Sequence, residues 1–118
     1  MDDANVPSLL AMSYLGYEPE SQEVADNTRK LILSEANPFY YAGTKLSGIG
    51  SPHTPVRYVW HISKAIEGLT APTKEEKHQM IHELMATDGG YRTDARGCFV
   101  DDPTVYTREL VLLGGIAE

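Results

Sequence analysis

The sequence predicts an all-α protein of about five helices joined by long loops. Three observations carry this. Apolar residues recur at three-to-four spacing in several stretches. Two helix-start signals stand in the second half, Thr73 with Glu76 and Asp102 with Pro103. Glycine and proline punctuate the segments between.

The elements follow in order. Ser8 to Leu15 is apolar enough for a short buried helix, with Pro7 in its first turn and Gly16 as its stop. From Ser21 to Glu35, Val24, Thr28, Leu31 and Ile32 share one face of an amphipathic helix. The stretch "NPFYYAGTKLSGIGSPHTP" then has no period, and a loop of this length in a compact domain usually has a function. A third helix is predicted over Tyr58 to Leu69, with Val59, Ile62 and Ile66 on one side. Thr73 and Glu76 form a capping-box pattern ahead of a fourth, striped with Met80, Ile81, Leu84 and Met85. Asp102-Pro103 starts the fifth. Between them "GGYRTDARGCF", Gly89 to Phe99, has neither helical nor strand period.

At 118 residues the chain is at most one modest domain, and 42% apolar with 23% charged residues is ordinary for a globular protein. Net charge is −7 and the ten basic residues form no cluster, so binding to nucleic acid or an anionic membrane has no electrostatic support. No apolar run approaches the roughly 18 residues of a spanning helix. The acidic opening, Met1 to Asn5, lacks a basic signal-peptide region. The single cysteine, Cys98, excludes an internal disulfide framework.

Polar residues that could carry function fall in two places. Asp2, Asp3 and Asn5 stand directly before a predicted helix, where they either cap it or hydrogen-bond a polyhydroxylated ligand. In "GIGSPHTP", two glycines and two prolines fix a backbone that presents Ser51, His53 and Thr54, as a structural turn or a binding loop. Trp60 suits either a sugar ring or the core. His78 and His82 have the i, i+4 spacing of a metal pair, but Gln79 stands where a zinc protease needs glutamate. No third ligand is signalled, so the pair reads as a solvated helix edge and no metal or other cofactor is expected.

Taken together, "MDDANVPSLL", "GIGSPHTP…YVW" and "DDPTVYTRE" resemble the C-terminal part of glycoside hydrolase family 125. Its members are metal-independent exo-α-1,6-mannosidases, among them the fungal meiotically up-regulated homologues. "NTRKLILSEANPFYYAGT" is similar to the family's "NTRRFILSxxNPYFYxG", and the match runs in order along essentially the whole chain. After Trp60 the family usually has proline, where this chain has His61.

The resemblance implies an (α/α)6 toroid and an inverting mechanism. One carboxylic acid protonates the leaving oxygen, and a second carboxylate, roughly 6.5–9.5 Å away, activates water. It makes Met1 an internal methionine and residues 1–118 a partial catalytic domain, with the general acid in the portion before it. It also assigns Asp2, Asp3, Asn5, Ser51, His53, Thr54 and Trp60 to a wall that binds a mannose-containing oligosaccharide.

The family's general base lies in a "GTGxMHES" segment shortly before "DDP". A gap-free count back from Asp101 sets His-Glu-Ser on Ala95-Arg96-Gly97. Arg96 stays protonated and cannot take a proton from water. The genetic code suggests why it is there. Tyr91 to Gly97 can be written TAC CGG ACT GAT GCA CGA GGC. One base later, the same letters read Thr-Gly-Leu-Met-His-Glu. Leu110 to Gly114, as CTG GTT CTC CTG GGC, gives Trp-Phe-Ser-Trp in the same shifted frame, as the family continues after "TRE". Residues 91–97 and 110–118 are therefore read as out-of-frame translation.

The expectation is a fragment of an inverting exo-α-1,6-mannosidase, inactive as an isolated chain. Its rival is a non-catalytic helical protein that binds carbohydrate or another partner.

Overall fold

The computed structural model describes residues 1–44, 46–86, 95–99 and 105–107. They contain three helices, α1 (Gln22–Ile32), α2 (His61–Leu69) and α3 (Lys74–Ala86). They also contain five short strands, β1 (Tyr40–Tyr41), β2 (Gly48–Ile49), β3 (Tyr58–Val59), β4 (Ala95–Phe99) and β5 (Val105–Thr107). The strands form two antiparallel sheets, β1-β2 and β3-β4-β5. The expected all-α architecture of five helices is thereby overturned.

The opening segment makes turns where a helix was expected. Ala11 and Met12 donate to carbonyls three residues back, at Ser8 and Leu9, and only Leu15 reaches four back, to Ala11. The Val6–Pro7 peptide is cis, and turns rather than a helix follow Pro7. Gly16 does close the segment as predicted. Its φ of +83° suits a residue without a Cβ, and Tyr17 N–H reaches Met12 O while Gly16 N–H reaches Ser13 O, a Schellman stop.

Helix α1 begins where the sequence puts it. The Ser21 hydroxyl accepts the Val24 N–H, Glu23 lies in the first turn, and Arg29 and Lys30 complement the dipole in the last. It stops at Ile32, three residues before Glu35, because Asn37 Nδ2 takes the Ile32 carbonyl at 3.0 Å. Only Ile32 of its apolar stripe is buried, while Val24 and Leu31 are each 57% exposed.

Tyr58 and Val59, expected as helix, are β3, in register with Phe99 and Cys98 of β4. Helix α2 accordingly starts at His61, after Trp60. Thr73 opens α3 by accepting the Glu76 N–H at 3.2 Å. The two helices pack at Gly68, where a Cβ would lie 3.2 Å from Met80 Cβ. Met80 is buried, whereas Ile62, Leu69, Ile81 and Met85 are exposed. The predicted fifth helix start, Asp102-Pro103, lies outside the described residues, and Val105–Thr107 beyond it is strand.

The strands escaped detection for a physical reason. β1, β2 and β3, of two residues each, are too short to show a period, the five residues of β4 do not alternate, and pairing depends on partners far away in sequence. β4 carries a bulge: Ala95 faces Thr107 and Gly97 faces Tyr106, so Arg96 is the extra residue.

The core gathers Ala4, Leu10, Ala11, Ile32, Ile49, Trp60 and Ile66, with Leu33, Phe39 and Tyr40 against it. It thus joins the opening turns, α1, β2 and α2 directly beneath the polar segments. Among the described residues, no helix is long and apolar enough to cross a membrane.

Candidate functional site

The two polar segments meet. Ala4 N–H donates to Gly50 O at 2.9 Å, so the backbone of Met1 to Asn5 runs against the loop that contains Ser51. Gly50 has no room for a side chain: a Cβ there would collide with Tyr58 O and lie 2.6 Å from the Tyr41 ring. The glycine is what lets β1, β2 and β3 converge at this point.

Each predicted residue has a definite place. Asp2 is buried, and its two carboxylate oxygens accept the N–H groups of Leu9 (3.0 Å) and Leu10 (3.3 Å). This is capping of the opening turns, one of the two roles its sequence position allowed. Asn37, which sequence reasoning missed, completes the arrangement. Its Oδ1 accepts Asp2 N–H at 3.1 Å, and its Nδ2 donates to Asp2 O at 2.8 Å. The signal available for Asn37 was only an Asn-Pro step, which read as a loop.

Asp3 and Asn5 are half-buried and act on each other. Asp3 Oδ1 accepts the Asn5 backbone N–H at 2.8 Å, and Asn5 Nδ2 spans both Asp3 oxygens at 3.2 and 3.3 Å. The same amide donates to Ser51 Oγ at 3.2 Å. Ser51, 1% exposed, also accepts the His53 N–H at 3.2 Å. Its carbonyl accepts both the N–H and the hydroxyl of Thr54, and Thr54 Oγ1 in turn accepts Trp60 Nε1–H at 2.8 Å. The Trp60 ring belongs to the core and is 9% exposed.

One hydrogen-bonded network therefore links Asp3, Asn5, Ser51, Thr54 and Trp60. Asp3 and Asn5 reach the surface from it, and His53 stands exposed beside them. These three groups could engage hydroxyls by donating and accepting at once.

Arg96 lies on β4, whose neighbour β3 runs directly into Trp60. Its backbone is thus placed in the sheet that borders the network. His78 and His82 are exposed on α3, and the described residues include no group of three or more His, Cys, Asp or Glu side chains placed to hold a metal ion. Burial holds the His61 imidazole below its ordinary value. A cleft of about 160 Å³, bordered by Leu10, Tyr17, Arg29 and Pro72, includes none of the network residues. Its guanidinium, Arg29, is committed to Thr70 Oγ1 and Glu67 O.

A family model described as metal-independent α-mannosidase, glycoside hydrolase family 125, matches residues 1–112. The meiotically up-regulated gene 157 protein of Schizosaccharomyces pombe is 45% identical over 91 residues, covering 76% of this chain and 18% of that protein. A solved metal-independent α-mannosidase from Streptococcus pneumoniae, in a non-productive complex with α-1,6-mannobiose, superposes with a TM-score of 0.83. The two are 50% identical, and the match covers 92% of this chain and 26% of that one. The chain thus spans about a quarter or less of the length of these relatives. It belongs to glycoside hydrolase family 125, the metal-independent α-mannosidases.

Proposed function

We propose that this chain is the sugar-binding portion of an inverting exo-α-1,6-mannosidase that removes terminal mannose from glycans, and that it performs no hydrolysis by itself. The observation that carries the reading is the convergence of Asp3, Asn5 and the Ser51–Thr54 loop in one network. It occurs in a chain half identical to a mannosidase that was captured with α-1,6-mannobiose.

Within this reading Asp3, Asn5 and His53 touch the sugar. Asp2, Ser51, Thr54 and Trp60 line the wall from behind and hold those three in place, since their polar atoms are engaged within the protein. Mannose hydroxyls suit a site built from a carboxylate, an amide and an imidazole, which together accept and donate.

Inversion needs an acid and a base. The resemblance assigns the acid to sequence preceding the matched portion, and the position matched to the base is Arg96, which has no proton affinity to spare. Residues 91–97 and 110–118 are read as out of frame, with the glutamate one base away.

The test is to incubate the chain with α-1,6-mannobiose, follow free mannose, and monitor Trp60 emission for binding. Binding without release is expected, with binding lost in Asp3→Ala. Release of mannose by the purified chain overturns the catalytic loss. The DNA under Gly90 to Cys98 should spell Thr-Gly-Leu-Met-His-Glu one base along. In-frame codons incapable of this, together with sugar binding, would favour the non-catalytic carbohydrate-binding protein, the reading that Arg96 also supports.

A further inference from the structure

Behind the network lies a second cluster. Lys64 is 2% exposed, yet among the described residues its ammonium has three oxygen neighbours. Nζ donates to Ser47 O at 2.7 Å and to Glu67 Oε2 at 3.0 Å. Glu83 Oε2 of α3 lies 2.6 Å away as an ion-pair contact. The lysine stem is pressed against the loop backbone: a Cβ on Gly48 would sit 2.8 Å from Lys64 Cδ.

We infer that Lys64 is a positioning residue of the sugar site, its ammonium fixing the Ser47 carbonyl and thereby the path of the loop into Ser51 and Thr54. The assignment of a sugar to that site rests on the function proposed above. Three groups at the start of α2 hold this loop by its carbonyls. Lys64 takes Ser47 O, while the Ser63 hydroxyl (2.7 Å) and the Trp60 N–H (3.1 Å) share Ile49 O. Ala4 N–H then takes Gly50 O, one residue before Ser51. Of these anchors only Lys64 reaches back from a second helix, through Glu83. A buried ion cluster adds little net stability, because desolvation offsets its attraction. Its effect is therefore on geometry: it sets the distance between α3, α2 and the loop.

The chain's single tryptophan makes a direct reporter, because its indole N–H is bonded to Thr54 at the far end of the loop. The variant Lys64→Met/Glu67→Gln/Glu83→Gln removes the cluster without stranding a buried carboxylate. In the ¹⁵N-labelled chain, its indole resonance should move and exchange with solvent at least about tenfold faster, with helical circular dichroism unchanged. Lys64→Arg, which keeps the donor and the charge, should retain the wild-type exchange rate. A wild-type rate in the triple variant overturns the inference, as does a fast rate in Lys64→Arg. Loss of helical signal in step with the indole also overturns it, since Lys64 would then support the fold at large. With α-1,6-mannobiose, the triple variant should bind at least about fivefold more weakly than wild type. If wild type itself does not bind the disaccharide, the proposed function fails while the indole comparison still decides the role of Lys64.

Discussion

Asn5 donates its side-chain amide to the Ser51 hydroxyl at 3.2 Å, joining segments 46 positions apart in sequence. Asn5→Ala removes this bond and both contacts to the Asp3 carboxylate. The expected cost is about 1 kcal/mol, because the site is half-buried and water replaces part of what is lost. A denaturant midpoint measures this, and the response of Trp60 emission to α-1,6-mannobiose should disappear in the same variant. Asn5→Asp should cost more, since it sets a second carboxylate against Asp3.

Two glycines are needed for different reasons, and alanine separates them. At Gly50 a methyl group collides with Tyr58 O and the Tyr41 ring, so Gly50→Ala should cost about 2–3 kcal/mol through overpacking. At Gly16 nothing lies within 4 Å, and only the φ of +83° resists. Gly16→Ala should therefore cost about 1 kcal/mol of backbone strain. Thermal melts of the two variants should rank in that order.

Glu67 makes stability depend on pH. Burial raises its carboxyl above the ordinary value, against the lowering pull of Lys64, with Glu83 adding a smaller upward push. The folded chain thus holds this proton more tightly than the unfolded chain does. The contribution favours folding below the ordinary carboxylate pKa and is lost as pH rises through the raised one. Glu67→Gln should therefore melt higher than wild type at pH 7, with the difference gone by about pH 4. His61, lowered by burial, acts with the opposite sign below its ordinary 6.5, and comparing the two proteins at each pH cancels it.

Thr54→Val should leave the buried Trp60 indole N–H without its acceptor. The expected destabilisation is about 1–3 kcal/mol, the cost of an unsatisfied buried donor. Thr54→Ser should restore most of it, as read from melts followed by tryptophan emission.

What the sequence could reveal depended on how local the cause was. Thr73 caps its helix as read, and α1 begins beside the predicted Ser21, because a cap needs only residues three positions ahead. Gly16 closes its turn for the same reason. The end of α1 was misplaced because Asn37, five residues past Ile32, takes its carbonyl. Tyr58 and Val59 continue the apolar side of α2 in sequence, yet pair with Cys98 and Phe99 some forty positions away. No local pattern encodes that choice.

The candidate site followed the same rule. Asp3, Asn5, Ser51, Thr54 and Trp60 could be singled out by residue type, and the resemblance grouped them. Which groups face outward was not legible. Burial of Ser51 and the commitment of Asp2 to the opening turns depend on how the loop crosses Ala4. The Lys64 cluster was missed altogether, since a lysine and two glutamates on helices ordinarily read as solvated faces.

The bulge at Arg96 bears on how freely the sequence of this sheet can vary. β4 is tied to β3 and β5 through main-chain N–H and C=O groups, which every residue except proline supplies alike. A change of side chain along this ribbon leaves its main-chain pairing in place. The path of the ribbon is thus indifferent to the chemistry its side chains carry, and the outline alone does not report on that chemistry.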